Sequence, residues 1–184
     1  MRLGKLHLIM GPMYSGKTSE LIRLANRAKI IGKKILSINH KSNDRYDGKI
    51  CSHDRNSFEH DIKVFSLNEI GNLENYNNPD IIIIDELQFY DDCYNWIINV
   101  LDNNNIEIIC SCLNGDFKRE NFNSILGLIP HAEEITKLSA LCVKCNDGTN
   151  ANYSKRIIKN DEQKLVGSTE AYIAVCRYHY LHDN

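Results

Sequence analysis

Apolar residues in this chain fall into short runs separated by polar turns. KLHLIM (5–10) is apolar and ends at a glycine, which predicts a buried strand. TSELIRLANRAKII (18–31) sets Leu21, Leu24, Ala25 and Ala28 on one helical face, with Gly32 as the stop. KILSIN (34–39) and DIKVFS (61–66) read as strands. NNPDIIIIDE (77–86) holds a strand with no polar face, as a parallel sheet covered on both sides requires. LQFYDDCYNWIINVLD (87–102) predicts a helix, and IEIICSCLNG (106–115) the next strand and its turn. Between the second and third strands, HKSNDRYDGKICSHDRNSFEHD (40–61) is polar, charged and without period. So long a gap in a compact domain is either disordered or functional. Strand and helix alternating imply an α/β fold, a parallel sheet with right-handed crossovers. From about residue 139 cysteines pair up and apolar runs shorten. We therefore expect an α/β nucleotide-binding domain over 1–138 and a small second domain over 139–184.

Composition narrows the possible partners. A chain of 184 residues with net charge −2 has no basic footprint for nucleic acid. No stretch nears the roughly 20 apolar residues of a membrane helix. The N-terminus runs straight into a phosphate-binding motif, so no cleaved signal peptide is expected and the setting is cytoplasmic. Seven cysteines, unevenly placed, do not suggest a disulfide framework. Cys51, Cys93, Cys110 and Cys112 read as buried thiols.

GPMYSGKT supplies that motif: Gly11, Pro12, Met13, Tyr14, Ser15, Gly16, Lys17, Thr18. Its glycines let backbone N–H groups cradle phosphate oxygens at a helix N-terminus. Lys17 is placed to reach the β- and γ-phosphates, and the Thr18 hydroxyl to hold Mg²⁺. The isoleucine strand delivers Asp85 and Glu86 to the same sheet edge. Asp85 suits Mg²⁺. Glu86 suits a base, for water in a hydrolase or for an acceptor hydroxyl in a kinase. Gln88 and Phe89 follow at once, and an amide and a ring suit a flat nucleobase. Leu113, Phe117 and Phe122 are either a stacking surface or plain core.

Cys142-x2-Cys145 and Cys176-x2-His179 read as two halves of a closed structural Zn²⁺ site, with His182 a rival for His179. The metal would close the base of a loop containing NYSKR (152–156) and VGSTEAY (166–172). A phosphate-loop ATPase gripping nucleic acid through a zinc ribbon remains the alternative to a small-molecule phosphotransferase.

The GPMYSGKT loop, SHDRN (52–56), DELQFY (85–90), the NGDF turn, CVKC, YSKR (153–156) and the closing CRYH together resemble the cytosolic, tetrameric type of thymidine kinase over essentially the whole chain. The resemblance implies a P-loop, RecA-like sheet flanked by helices, with a zinc-closed lasso domain. It implies transfer of the ATP γ-phosphate to the 5′-hydroxyl of thymidine, with Glu86 as general base. Gly11 to Thr18, Arg45, Asp85 and Gln88 would be on the ATP side. Met13, Phe89, Leu113, Phe117, Phe122, Ser154, Val166, Gly167 and Tyr172 would be on the thymidine side. Thr18 and Asp85 would serve Mg²⁺; Cys142, Cys145, Cys176 and His179 would hold zinc. It further implies a homotetramer with thymidine triphosphate as feedback ligand. The sequence departs from the family pattern at Asn43, Asn114 and Ser168, and Ser154 stands where threonine is commoner. The chain ends soon after His179, without the long tail of the animal enzymes, which suggests a viral or microbial source.

Overall fold

A computed structural model of the chain describes residues 3–42, 49–51, 57–59, 61–164 and 170–183. In chain order its elements are β1 (Lys5–Gly11), α1 (Lys17–Ile30), β2 (Ile35–His40), β3 (Lys49–Cys51), β4 (Ser57–Glu59), β5 (Ile62–Val64), β6 (Ile81–Ile84), α2 (Cys93–Asn103), β7 (Glu107–Leu113), α3 (Asn123–Leu126), β8 (Glu134–Lys137), β9 (Ala140–Leu141), β10 (Asn150–Ala151), β11 (Tyr153–Arg156), β12 (Tyr172–Val175) and α4 (Arg177–His182).

Six strands form one sheet in the order β5-β2-β6-β7-β1-β8, and every neighbouring pair is parallel. Strand β6 lies inside it, and its composition follows from that position. Ile81 and Ile83 pack with Leu21, Ile22 and Ala25 of α1, while Ile82 and Ile84 pack with Trp96, Ile97 and Val100 of α2. All four isoleucines are buried, so neither face has room for a polar residue. Helix α1 stops as expected. Gly32 takes a left-handed φ of 76°, its N–H donates to the Lys29 carbonyl, and Lys33 N–H donates to that of Ala28.

One expectation needs correction. Residues 87–102 are not one helix. Leu87–Phe89 is a single 3-10 turn, Tyr90 is extended, and the α-helix begins at Cys93. The apolar spacing misleads because Leu87, Tyr90, Cys93 and Ile97 are all fully buried in one core. Asp92 does not use its side chain as a cap. Its carboxylate accepts from the Ser66 hydroxyl and the Asn68 N–H instead. The polar stretch 40–61, read as either disordered or functional, holds a short strand pair. Strands β3 and β4 pair antiparallel, with Ile50 opposite Phe58 and Ile50 buried in the α1-side core. Residues 43–48, 52–56 and 60 lie outside the described residues.

Beyond β8 a third, smaller core gathers Ala140, Cys142, Ala151, Ala174 and Val175, with Tyr14, Tyr153 and Tyr180 against it. The buried members are small, and so little apolar surface ordinarily needs a metal or cross-link. No described helix is long and apolar enough to cross a membrane.

Gly11 lies at the junction of these parts. A Cβ there would sit 2.5 Å from Ser15 Oγ and 2.8 Å from the Leu138 carbonyl oxygen. The serine can rotate away, but Leu138 is backbone tied by its N–H to the Met10 carbonyl. Gly11→Ala is therefore expected to destabilise the fold by about 1–3 kcal/mol, read as a lower denaturant midpoint at unchanged slope. An unchanged midpoint would show that the junction yields freely.

Candidate active site and metal centre

The turn from β1 into α1 contains two left-handed residues, Tyr14 (φ 63°) and Gly16 (φ 81°). Such a turn aims successive N–H groups at one point and makes an anion nest. The nest lies at the N-terminus of a helix running from Lys17 to Ile30, whose dipole favours negative charge. Lys17 is buried, and its ammonium donates to the Pro12 carbonyl at 2.7 Å. Burial lowers its pKa, and the charges of Glu86 and Asp85 act against that. The loop is also tied to the C-terminal unit. Met13 N–H donates to Ser154 Oγ at 2.9 Å, and the Tyr14 hydroxyl donates to the Tyr172 carbonyl at 3.2 Å.

Strand β6 hands over to two acids that part company. Glu86 is left-handed (φ 55°, ψ 49°), an uncommon conformation for a residue with a side chain. That twist sends the two carboxylates to different places. Asp85 is buried. The Thr18 hydroxyl lies 3.3 and 3.2 Å from its two oxygens, and the Ser111 hydroxyl donates to Oδ1. Burial, and then the charge of Glu86, pushes the Asp85 carboxyl up to about 6. The Thr18 hydroxyl and Asp85 carboxylate are hard oxygen donors beside the phosphate nest, which is the chemistry Mg²⁺ requires. Glu86 instead lines a pocket. Its carboxylate accepts from Gln88 Nε2, while Gln88 Oε1 accepts from Leu113 N–H at 3.1 Å. Gln88 thus holds Glu86 and bonds to no residue of the phosphate loop.

The pocket wall comprises Met13, Glu86, Gln88, Phe89, Leu113, Phe122, Gln163, Lys164 and Tyr172. Five expected nucleoside residues meet there: Met13, Phe89, Leu113, Phe122 and Tyr172. Ser154 sits behind the wall, bonded to Met13. Phe117 is not in the wall; its ring packs under the Arg156 guanidinium at 3.7 Å. Arg45, Val166 and Gly167 lie outside the described residues. The free interior is about 30 Å³, room for a water or two. Gln163 and Lys164 form one side of the wall. Gln163 reaches Asp116 Oδ2 (3.1 Å), and Lys164 pairs with the exposed Asp91.

Sequence reasoning missed four contributors. Ser111 bonds both Asp85 and the Glu86 N–H, yet in ICSCL it reads as strand filler. A polar residue at the C-terminal end of a buried strand was the available signal. His40 stacks on Phe89 with ring centroids 5.4 Å apart. Gln163 and Lys164 carried no signal, because only the tertiary path of the chain brings them to the pocket.

The four expected zinc ligands also converge. Their ligand atoms lie within 4.8 Å of one another. His179 Nδ1 is 3.6, 3.4 and 3.4 Å from the sulfurs of Cys142, Cys145 and Cys176. Ligands of tetrahedral zinc at about 2.0–2.3 Å would stand at separations of this order. Burial alone would push the Cys142 thiol up, but the N–H groups of Cys176, Cys145 and Lys144 bring it down to about 6, favouring the thiolate that zinc binds. His182 is elsewhere, stacked on Tyr178 with its Nδ1 facing the Tyr178 carbonyl. The Cys3His set fits a closed structural zinc.

Comparison with known proteins points the same way. The family model described as thymidine kinase matches residues 4–180. A thymidine kinase of Yaba monkey tumor virus (strain VR587) is 40% identical over 183 residues, covering 100% of this chain and 98% of its own length. That of sheeppox virus (strain KS-1) is 38% identical, covering 98% of this chain and 99% of its own. Thymidine kinase 1 of Dictyostelium discoideum is 37% identical over 98% of this chain and 79% of its own length. Among solved structures, domain III of the Thermotoga maritima replication initiation protein DnaA overlaps 72% of this chain and 54% of its own, at TM-score 0.39 and 16% identity.

Proposed function

The chain belongs to the thymidine kinase family, and from that premise we propose that it transfers the γ-phosphate of ATP to the 5′-hydroxyl of thymidine, with Glu86 as general base. One observation carries this reading. Adjacent acids serve two adjoining spaces, Asp85 on Thr18 beside the phosphate nest and Glu86 in the wall of a pocket lined by Phe89, Phe122 and Tyr172. A base at that border faces an acceptor hydroxyl on one side and a phosphate on the other.

The roles follow from the contacts. The nest and Lys17 hold the triphosphate tail. Thr18 and Asp85 would hold Mg²⁺, which offsets charge on the phosphate oxygens. Glu86, oriented by Gln88, takes the proton of the 5′-hydroxyl as it attacks. Phe89, Phe122 and Tyr172 offer faces to the base, and Met13 and Leu113 apolar edges. Cys142, Cys145, Cys176 and His179 would hold a zinc that fixes the ends of the lasso, a closed structural set with no open position for chemistry. ATP binds through residues 11–18, a homotetramer is the expected assembly, and thymidine triphosphate is the expected feedback ligand. A net charge of −2 offers no footprint for nucleic acid as substrate.

ATP consumption measured with thymidine, deoxycytidine, deoxyadenosine or DNA added singly tests the proposal. Thymidine alone is expected to raise turnover well above background. Stimulation by DNA and not by thymidine would overturn it.

A further inference from the structure

One side chain outside the pocket touches three of the segments that build it. On β11, Ser154 and Arg156 stand two residues apart and so share a face. Ser154 accepts the Met13 N–H; Arg156 stands directly opposite Tyr172 in the β11–β12 pair. Arg156 Nε donates to the Tyr172 hydroxyl at 3.1 Å, and Nη2 donates to the same oxygen. Nη1 donates to the Asn160 carbonyl at 2.7 Å. The guanidinium also lies over the Phe117 ring, 3.7 Å from its centroid. Among the described residues these partners are neutral: a phenol, a carbonyl and a ring. A cation held this way organises its surroundings rather than cancelling a charge.

The three partners matter because of where they lead. Tyr172 is pocket wall. Asn160 begins the strap that brings Gln163 and Lys164 to the pocket. Phe117 follows the turn after β7, whose last residue, Leu113, is also wall. We propose that Arg156 is a positioning residue for nucleoside recognition: it fixes the Tyr172 ring and the strap against Phe117, and so sets the shape of the base-binding wall. The inference rests on the thymidine kinase reading of the site. It requires arginine specifically. A lysine ammonium is a point charge and cannot serve a hydroxyl, a carbonyl and a ring face with one planar group.

The test uses R156K, Y172F and the double variant in steady-state assays that vary thymidine and ATP separately. R156K is expected to raise the thymidine KM by about tenfold, the scale of a lost charge-assisted hydrogen bond. Its kcat, ATP KM and zinc content should stay close to wild type. Y172F should raise the thymidine KM less, and the double variant should be no worse than R156K, because both remove one shared contact. An unchanged thymidine KM in R156K would overturn the inference. So would additive effects, or a parallel rise in both KM values with loss of zinc, which would mark a merely structural arginine. Wild-type protein inactive on thymidine would overturn the functional reading and this inference with it. Wild-type activity beside an unaffected R156K would overturn this inference alone.

Discussion

Glu86→Gln is expected to lower kcat by about 10²–10⁴-fold, the usual worth of a positioned general base. The replacement keeps the size and the planar end of the side chain, and an amide can still pair with Gln88. What it loses is proton affinity. The phosphate grip stays intact, since Lys17, Thr18 and Asp85 make no bond to the Glu86 carboxylate. ATP affinity, measured by equilibrium titration, should therefore hold while single-turnover phosphoryl transfer collapses. Near-normal kcat would remove Glu86 from the role. Parallel loss of ATP affinity would move Glu86 to the metal side with Asp85.

Loss of zinc is expected to have the second largest effect. The core around Cys142 consists mostly of small side chains, and zinc can contribute on the order of 10 kcal/mol to so small a unit. Without it, β11 and β12 lose their anchor, and with them Ser154, Arg156 and Tyr172. Thymidine KM should rise by about a hundredfold or more, the cost of losing several pocket contacts at once. ATP affinity should fall less, through the Met13–Ser154 and Tyr14–Tyr172 bonds alone. The six-stranded sheet keeps its own two cores, so far-ultraviolet circular dichroism should change little. The same is expected of Cys145→Ser. Unchanged thymidine affinity in a sample shown to be metal-free would break the link between the metal and the pocket.

What the sequence revealed of this site was whatever chemistry concentrates in a few adjacent residues. The phosphate loop, Asp85-Glu86 and the paired cysteines each need particular atoms at fixed spacing, so the spacing survives as a motif. The isoleucine run was legible because burial on both faces admits only one kind of residue. The turn at 87–92 was not, since its buried positions mimic a helix and the deciding contacts of Asp92 come from Ser66 and Asn68. The β3–β4 pair was hidden because Ile50 and Phe58 meet the core from a stretch that is otherwise largely polar. Ser111 and Lys164 act across large sequence separations, where no local pattern records them.

The most direct test of the account is the fate of label placed in the γ-phosphate of ATP. With Mg²⁺ and thymidine present, the account predicts label in thymidine monophosphate, formed in step with ADP, and little in inorganic phosphate. Label appearing as inorganic phosphate, with thymidine left unphosphorylated, would mean that Glu86 activates water, and would contradict it.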